Sequence, residues 1–190
     1  MPRFSSLTAA ACLLPLLSLG QPAPLQRFPA AAVELLPGPF REAQQTDKAY
    51  LLALDPDRLL APYRLEAGLP SKAERYGNWE NTGLDGHIGG HYLSALALMY
   101  AATHDAQVQR RMSYMVDELN RCQQQHADGY LGGVPGGRAM WQQVKAGQIN
   151  ANSFGLNQKW VPWYNLHKTY AGLRDAYLMG GNAQARAMLI

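Results

Sequence analysis

From residue 91 to 103 the chain is apolar at almost every position: Tyr92, Leu93, Ala95, Leu96, Ala97, Leu98, Met99 and Tyr100. A helix that is apolar all round is expected to be buried on every side. The next stretch, 106–125, reads differently. Val108, Met112, Met115, Val116, Leu119 and Cys122 recur at helical spacing, while Gln109, Arg110, Asp117, Asn120 and Arg121 fill the opposite face. A buried helix followed by an amphipathic one predicts the inner and outer helices of a layered all-α fold. Upstream, the pattern predicts a helix over 41–53 and a break at Asp55-Pro56-Asp57. Pro56 then suits the start of a short helix through Leu59 and Leu60. Val33-Glu34-Leu35-Leu36 fits a short strand stopped by Pro37-Gly38-Pro39, and residues 68–90, rich in Gly, Asn and aromatics, read as a loop.

The helix pair recurs. The string Tyr100 to Gln107 aligns with Tyr177 to Gln184 at a shift of 77 residues, and His91 matches His167 one residue out of register. Repeated helix pairs point to a toroid or a solenoid, although two Ala-rich helices can also align by composition alone. Between the repeats runs a long connection, 127–161, with glycines at 129, 132, 133, 136 and 137. Long connections in compact domains are usually functional. This one leads from an outer helix back to an inner one, which places it on the same rim as His91 and His167. The pattern stops at Ile190, a turn or two into the second helix of the second repeat. A helix pair cannot bury its apolar face alone, so 33–190 is expected to be the truncated N-terminal portion of a larger domain.

Polar-tipped aromatics concentrate just before the helical patterns. Trp160-Val161-Pro162-Trp163-Tyr164-Asn165-Leu166-His167-Lys168 has an upstream echo in Trp79-Glu80-Asn81 and Asp85-Gly86-His87-Ile88-Gly89-Gly90-His91. Flat rings stack on sugar faces while His, Asn and Lys bond hydroxyls, so Trp79, Asp85, His87, His91, Trp163, Tyr164, Asn165 and His167 are candidate substrate-binding residues. Each has a plainer alternative: the aromatics can pack under loops, Asp85 can form a turn, and His167 can cap its own helix. Trp141 and Trp160 read as structural. His91 at a helix N-terminus should be neutral, since the dipole disfavours its charged form. His87 and His91 have the i,i+4 spacing of a metal pair, but Gly89 and Gly90 argue against a regular helix there. No metal site is expected within these residues. Glu80 and Asp85 are the carboxylates that position offers for glycoside hydrolysis. No Ser-centred elbow, phosphate loop or dinucleotide fingerprint is present.

Composition narrows the classes. The 190 residues are 47% hydrophobic and 16% charged, as in a globular domain. The net charge of +3 comes without a basic run, which removes support for nucleic-acid binding. Residues 1–20 read as a signal peptide, with Arg3 ahead of an apolar run and cleavage after Gly20, or alternatively at Ala23. The competing reading is a buried N-terminal helix. A signal peptide implies a secreted or periplasmic protein, with no membrane attachment after cleavage, and 21–32 then forms a linker. Cleavage leaves one cysteine, Cys122, which fits a small buried hydrophobe and allows no intrachain disulfide. Nothing in the pattern fixes an oligomeric state.

Several strings together carry a resemblance. They are Gly38-Pro39-Phe40 with Ala43-Gln44, residues 54–60 (Leu-Asp-Pro-Asp-Arg-Leu-Leu), Gly68-Leu69-Pro70, Asp85-Gly86-His87, residues 90–95 (Gly-His-Tyr-Leu-Ser-Ala), residues 129–135 (Gly-Tyr-Leu-Gly-Gly-Val-Pro) and residues 163–168 (Trp-Tyr-Asn-Leu-His-Lys). Over 33–190 the chain resembles the N-terminal part of the β-L-arabinofuranosidases of glycoside hydrolase families 127 and 146. The resemblance implies an (α/α)6 toroid and release of β-L-arabinofuranose, with retention, from arabinose-containing plant glycans or glycoproteins. It also implies a zinc-bound cysteine thiolate as nucleophile and a glutamate as acid/base, both beyond Ile190. Zinc is thus expected in a full-length site and not within these residues. It implies that His167 contacts the sugar, with Asp85 and His87 near the pocket. Cys122 does not match the nucleophile, so this piece is expected to be inactive. Two other readings stay open: a self-standing secreted carbohydrate-binding helical module, and another α/α-toroid glycan lyase or hydrolase. The latter should show charged residues for a uronate.

Overall fold

A computed structural model of the chain describes residues 25, 26 and 28–190. The expected signal peptide lies outside these residues, as does much of the expected linker; the rest of the linker ends in a 3-10 turn, Ala30–Ala32. Helices α1 (Pro39–Ala53), α2 (Pro56–Glu66), α3 (His87–Thr103), α4 (Ala106–Gln123), α5 (Gly137–Lys145), α6 (Pro162–Leu178) and α7 (Ala183–Ala187) follow in order. A small antiparallel hairpin, β1 (Gly155–Leu156) and β2 (Lys159–Trp160), precedes α6. None of these helices is long and apolar enough to cross a membrane.

The all-α class is as expected, and so is the repeat. At the α3–α4 junction His104 is left-handed and Asp105 caps α4, accepting from Gln107 N at 2.8 Å and Val108 N at 3.2 Å. At the α6–α7 junction Gly181 is left-handed and Asn182 caps α7, accepting from Ala185 N at 3.0 Å. The aligned strings therefore make the same turn twice. The seven helices among the described residues do not close an (α/α)6 ring.

α3 and α6 pack against each other at the centre, and glycine sets how closely. A Cβ at Gly90 would run into the backbone of Lys168 and Thr169, and one at Gly172 would lie 2.6 Å from the Gly90 carbonyl oxygen. Gly89 faces α2, where a Cβ would meet the Tyr63 ring at 3.0 Å. These contacts correct the reading of Gly89-Gly90 as a helix break: tertiary packing outweighs the roughly 1 kcal/mol that each glycine costs a helix relative to alanine. α3 consequently begins at His87, a turn earlier than the apolar pattern suggested.

The core is built from Leu59, Leu60 and Tyr63 of α2, Leu93 and Leu96 of α3, the expected stripe of α4, and Leu173 of α6. Cys122 is buried in it, where loss of solvation pushes its thiol up to about 12. α3 is not buried all round, because Leu98 is 49% exposed. Other differences are local. Residues 33–36 form no strand. α2 runs to Glu66 and tolerates Pro62, with Arg64 tied to the buried Glu118 of α4 at 2.5 Å. The 127–161 connection holds α5 and the hairpin, and residues 68–90 include a 3-10 turn, Asn78–Asn81.

Candidate functional site

The candidate residues gather where the N-terminal halves of α3 and α6 meet, and the chain builds that place from below. The 3-10 turn at Asn78–Asn81 sends Trp79 outward and Glu80 inward, leaving them 58% and 1% exposed. Glu80 accepts from Gly86 N at 2.8 Å and from Ile88 N at 3.0 Å. It thereby satisfies donors that the first turn of α3 would otherwise leave bare. Burial raises the Glu80 carboxyl above the usual range, against the pull of those two N–H groups and of His87. His87 Nδ1 lies 2.7 Å from Leu84 O and 2.6 Å from Glu80 Oε1. A carbonyl oxygen can only accept, so the proton sits on Nδ1 and Nε2 is the nitrogen left for other partners.

Asp85 and Asn165 lie beneath the surface. Asp85 forms an ion pair with Arg75 and accepts from Gly83 N at 3.0 Å. Asn165 donates from Nδ2 to the carbonyls of Leu84 at 2.9 Å and Asp85 at 2.7 Å, stapling the 84–85 turn to α6. Its Oδ1 is buried and has no partner among the described residues. Tyr63 adds a second staple: its hydroxyl donates to Gly86 O at 2.5 Å and accepts from Thr169 Oγ1 at 2.8 Å. Burial pushes that phenol far above its ordinary range. Asp85 and Asn165, expected at the sugar, are buried and hold the turn.

Above this base His91, Tyr164 and His167 are exposed and Lys168 is half-buried, while His87 stays buried. His91 Nε2 meets the Tyr164 hydroxyl at 3.2 Å, and Lys168 Nζ lies 4.8 Å from the centre of the Tyr164 ring. The His87 ring is 6.1 Å from both His91 and Tyr164. His167 and Lys168 stand one turn along α6 from Tyr164. Loss of solvation, then the nearby Lys168, His87 and His167, hold His91 below the ordinary histidine range. A depressed His91 was anticipated from the helix dipole, but the cause is partial desolvation and the charge of Lys168; His91 sits in the second turn of α3, away from the helix end. Trp79 stacks on Trp160 at 5.8 Å, and the 65% exposed Trp163 meets Trp141 edge-on at 4.4 Å.

The structure therefore joins His87, His91, Tyr164, His167 and Lys168 in one shelf and sets Trp79 and Trp163 in separate aromatic pairs. Sequence reasoning missed the holding roles of Tyr63 and Arg75 and the capping role of Glu80. Only the buried geometry reveals them, because Glu80 caps a helix that starts seven positions further on.

The shelf can bond hydroxyls and stack on a ring. It offers no carboxylate: Glu80 and Asp85, the candidates for acid/base work, are both buried and engaged. Nor do these residues fit a zinc thiolate, since Cys122 is enclosed in the core with its thiol proton held tightly. Among the described residues no three His, Cys, Asp or Glu side chains converge as a metal site.

Residues 32–190 match the model of the family described as β-L-arabinofuranosidase, GH127 catalytic domain. The chain belongs to this family of β-L-arabinofuranosidase-type glycoside hydrolases, whose substrates are glycans that contain arabinofuranosyl groups. A comparison with curated proteins finds no match.

Proposed function

We propose that the shelf of His87, His91, Tyr164, His167 and Lys168 binds a terminal β-L-arabinofuranosyl residue, flanked by Trp79 and Trp163, in a secreted or periplasmic enzyme acting on plant glycans with retention. The observation that supports this most directly is the convergence of His91, His167 and Tyr164 from two helices on one exposed face, with the buried His87 ring 6.1 Å from His91 and Tyr164. Hydrogen-bonding tips above a base held by buried hydrogen bonds suit a polyhydroxylated ligand, because a rigid shelf loses little entropy on binding. The aromatic pairs suit its C–H faces.

Bond cleavage falls to other groups. A retaining hydrolysis needs a nucleophile and a proton donor, and Glu80, Asp85 and Cys122 are unsuited to either task. These residues on their own bind and do not cleave.

The test is calorimetric titration of the chain with methyl β-L-arabinofuranoside. Saturable binding that weakens about fivefold in His167→Ala is expected for the loss of one neutral hydrogen bond. Absence of binding overturns the shelf assignment. Hydrolysis of an aryl β-L-arabinofuranoside by the same chain overturns its assignment to binding alone.

A further inference from the structure

A second concave surface lies between α5 and the β1–β2 hairpin. Its volume is about 600 Å³, within the range of about 300–1,000 Å³ typical of small-molecule sites. One residue organises it. Asn157 donates from Nδ2 to Gln148 O at 2.8 Å and to Gln143 Oε1 at 3.0 Å, and accepts from Asn150 N at 2.7 Å on Oδ1. That commits Asn157 and leaves the Gln143 NH2 group uncommitted. The side chains of Gln148, Asn150 and Gln158 make no hydrogen bond among the described residues, and all three line the groove. Met140 and Ile149 supply an apolar floor and lip.

One cation, Lys159, lines the groove, and the start of α5 beside it already has its carboxylate. Glu66 accepts from Gly136 N at 2.8 Å and Arg138 N at 3.0 Å, so the N-terminus of α5 is neutralised. Lys159 Nζ is tied to Pro135 O at 2.6 Å, and no carboxylate lines the groove. What remains is a row of free amides beside an apolar strip, the combination that pairs with vicinal hydroxyls on one side and C–H groups on the other. Gln158 adds a backbone signal. Both central residues of the hairpin turn have positive φ, 46° at Asn157 and 66° at Gln158. The second position of such a turn favours glycine. A long amide there is held at a cost and aimed at the lip of the groove, as strained residues at binding sites often are.

We propose that this groove is a second saccharide site, which takes a neutral sugar unit of the same glycan whose terminal residue occupies the shelf. Successive residues of a strand point to opposite faces. Lys159 therefore borders the groove while Trp160 reaches the Trp79 stack, and the two sites flank one hairpin. The identity of the sugar rests on the proposed function above; the groove itself does not.

The test is an amide-detected NMR titration of the full 190-residue chain with two probes, methyl β-L-arabinofuranoside and a linear L-arabinofuranosyl trisaccharide. The trisaccharide is expected to shift the side-chain NH2 signals of Gln143, Gln148 and Asn150, and the monosaccharide to shift only the shelf. Gln158→Gly combined with Gln148→Ala should weaken trisaccharide binding about fivefold and leave monosaccharide binding unchanged. Gln158→Gly also relaxes the turn, so its fold should be retained or stabilised. Groove signals unmoved by the trisaccharide, or a double variant that binds it normally, overturn the proposal while the shelf stands. Groove shifts with a silent shelf keep the groove and overturn the shelf.

Discussion

At its start α3 is tied to a carboxylate from an earlier turn of the chain, whereas α6 starts on Val161, a β-branched residue at φ 38°, with no side chain capping it. The two starts are related by the internal repeat and carry the two halves of the shelf. Under α3, Glu80 holds Gly86 N, Ile88 N and His87, Tyr63 holds Gly86 O, and Asp85 holds Gly83 N and Arg75. Before α6, Val161 is anchored by its N–H to Phe154 O at 2.7 Å, across the hairpin. One start is fixed by buried polar groups and the other by a strained backbone, a state that usually costs about 1–3 kcal/mol. Strain therefore resides on the side that presents Trp163 and Tyr164, and the α3 side supplies the rigid reference.

The comparison is broken most severely through Glu80. Glu80→Ala leaves the N–H groups of Gly86 and Ile88 without an acceptor in a dry site and His87 Nδ1 with Leu84 O alone, and should cost about 3 kcal/mol by urea denaturation. A cost below about 1 kcal/mol would show that water replaces the carboxylate and that the α3 start is not over-determined. Gly90→Ala comes next. Its Cβ meets backbone on α6, which cannot swing aside, so a loss of about 2 kcal/mol is expected with α3 and α6 forced apart. Val161→Gly sharpens the contrast from the other side: it should stabilise the fold by about 1 kcal/mol. If the strain serves the shelf, the same variant binds methyl β-L-arabinofuranoside less tightly; equal affinity would make the strain incidental.

The smallest effect is on pH dependence. His91 is held below the ordinary histidine range, so below pH about 6.5 the unfolded chain takes up a proton there that the folded chain refuses. Stability from this group is intact above that value and falls as pH drops through the window beneath it. His91→Gln should flatten the slope of stability between about pH 7 and 5. An unchanged slope would assign it to other groups.

How much of this was legible in the sequence depended on locality. The α4 stripe and the repeated junction turn are set by residues within a turn of one another, and they are where the pattern placed them. The start of α3 was misplaced because its glycines are chosen by α6 and α2, elements distant along the chain. The same reason hid the burial of Asp85 and Asn165. A polar side chain in an aromatic-rich string looks the same whether it faces a ligand or a carbonyl, and only Arg75 and the 84–85 turn decide which. α5 and the hairpin were unread because both are short, and Asn157-Gln158 lacks the glycine that marks most two-residue turns.

The contact of Gly90 with Gly172 bears on selectivity. Main chain against main chain, with no side chain between, fixes how far apart the two rows of the shelf stand. Such a spacing cannot be retuned by swapping a leucine for a valine in the core. A variant that accepts a bulkier sugar must arise by trimming Tyr164 or His91 at the surface, because the helices beneath have no room to close and no filler to lose when they part.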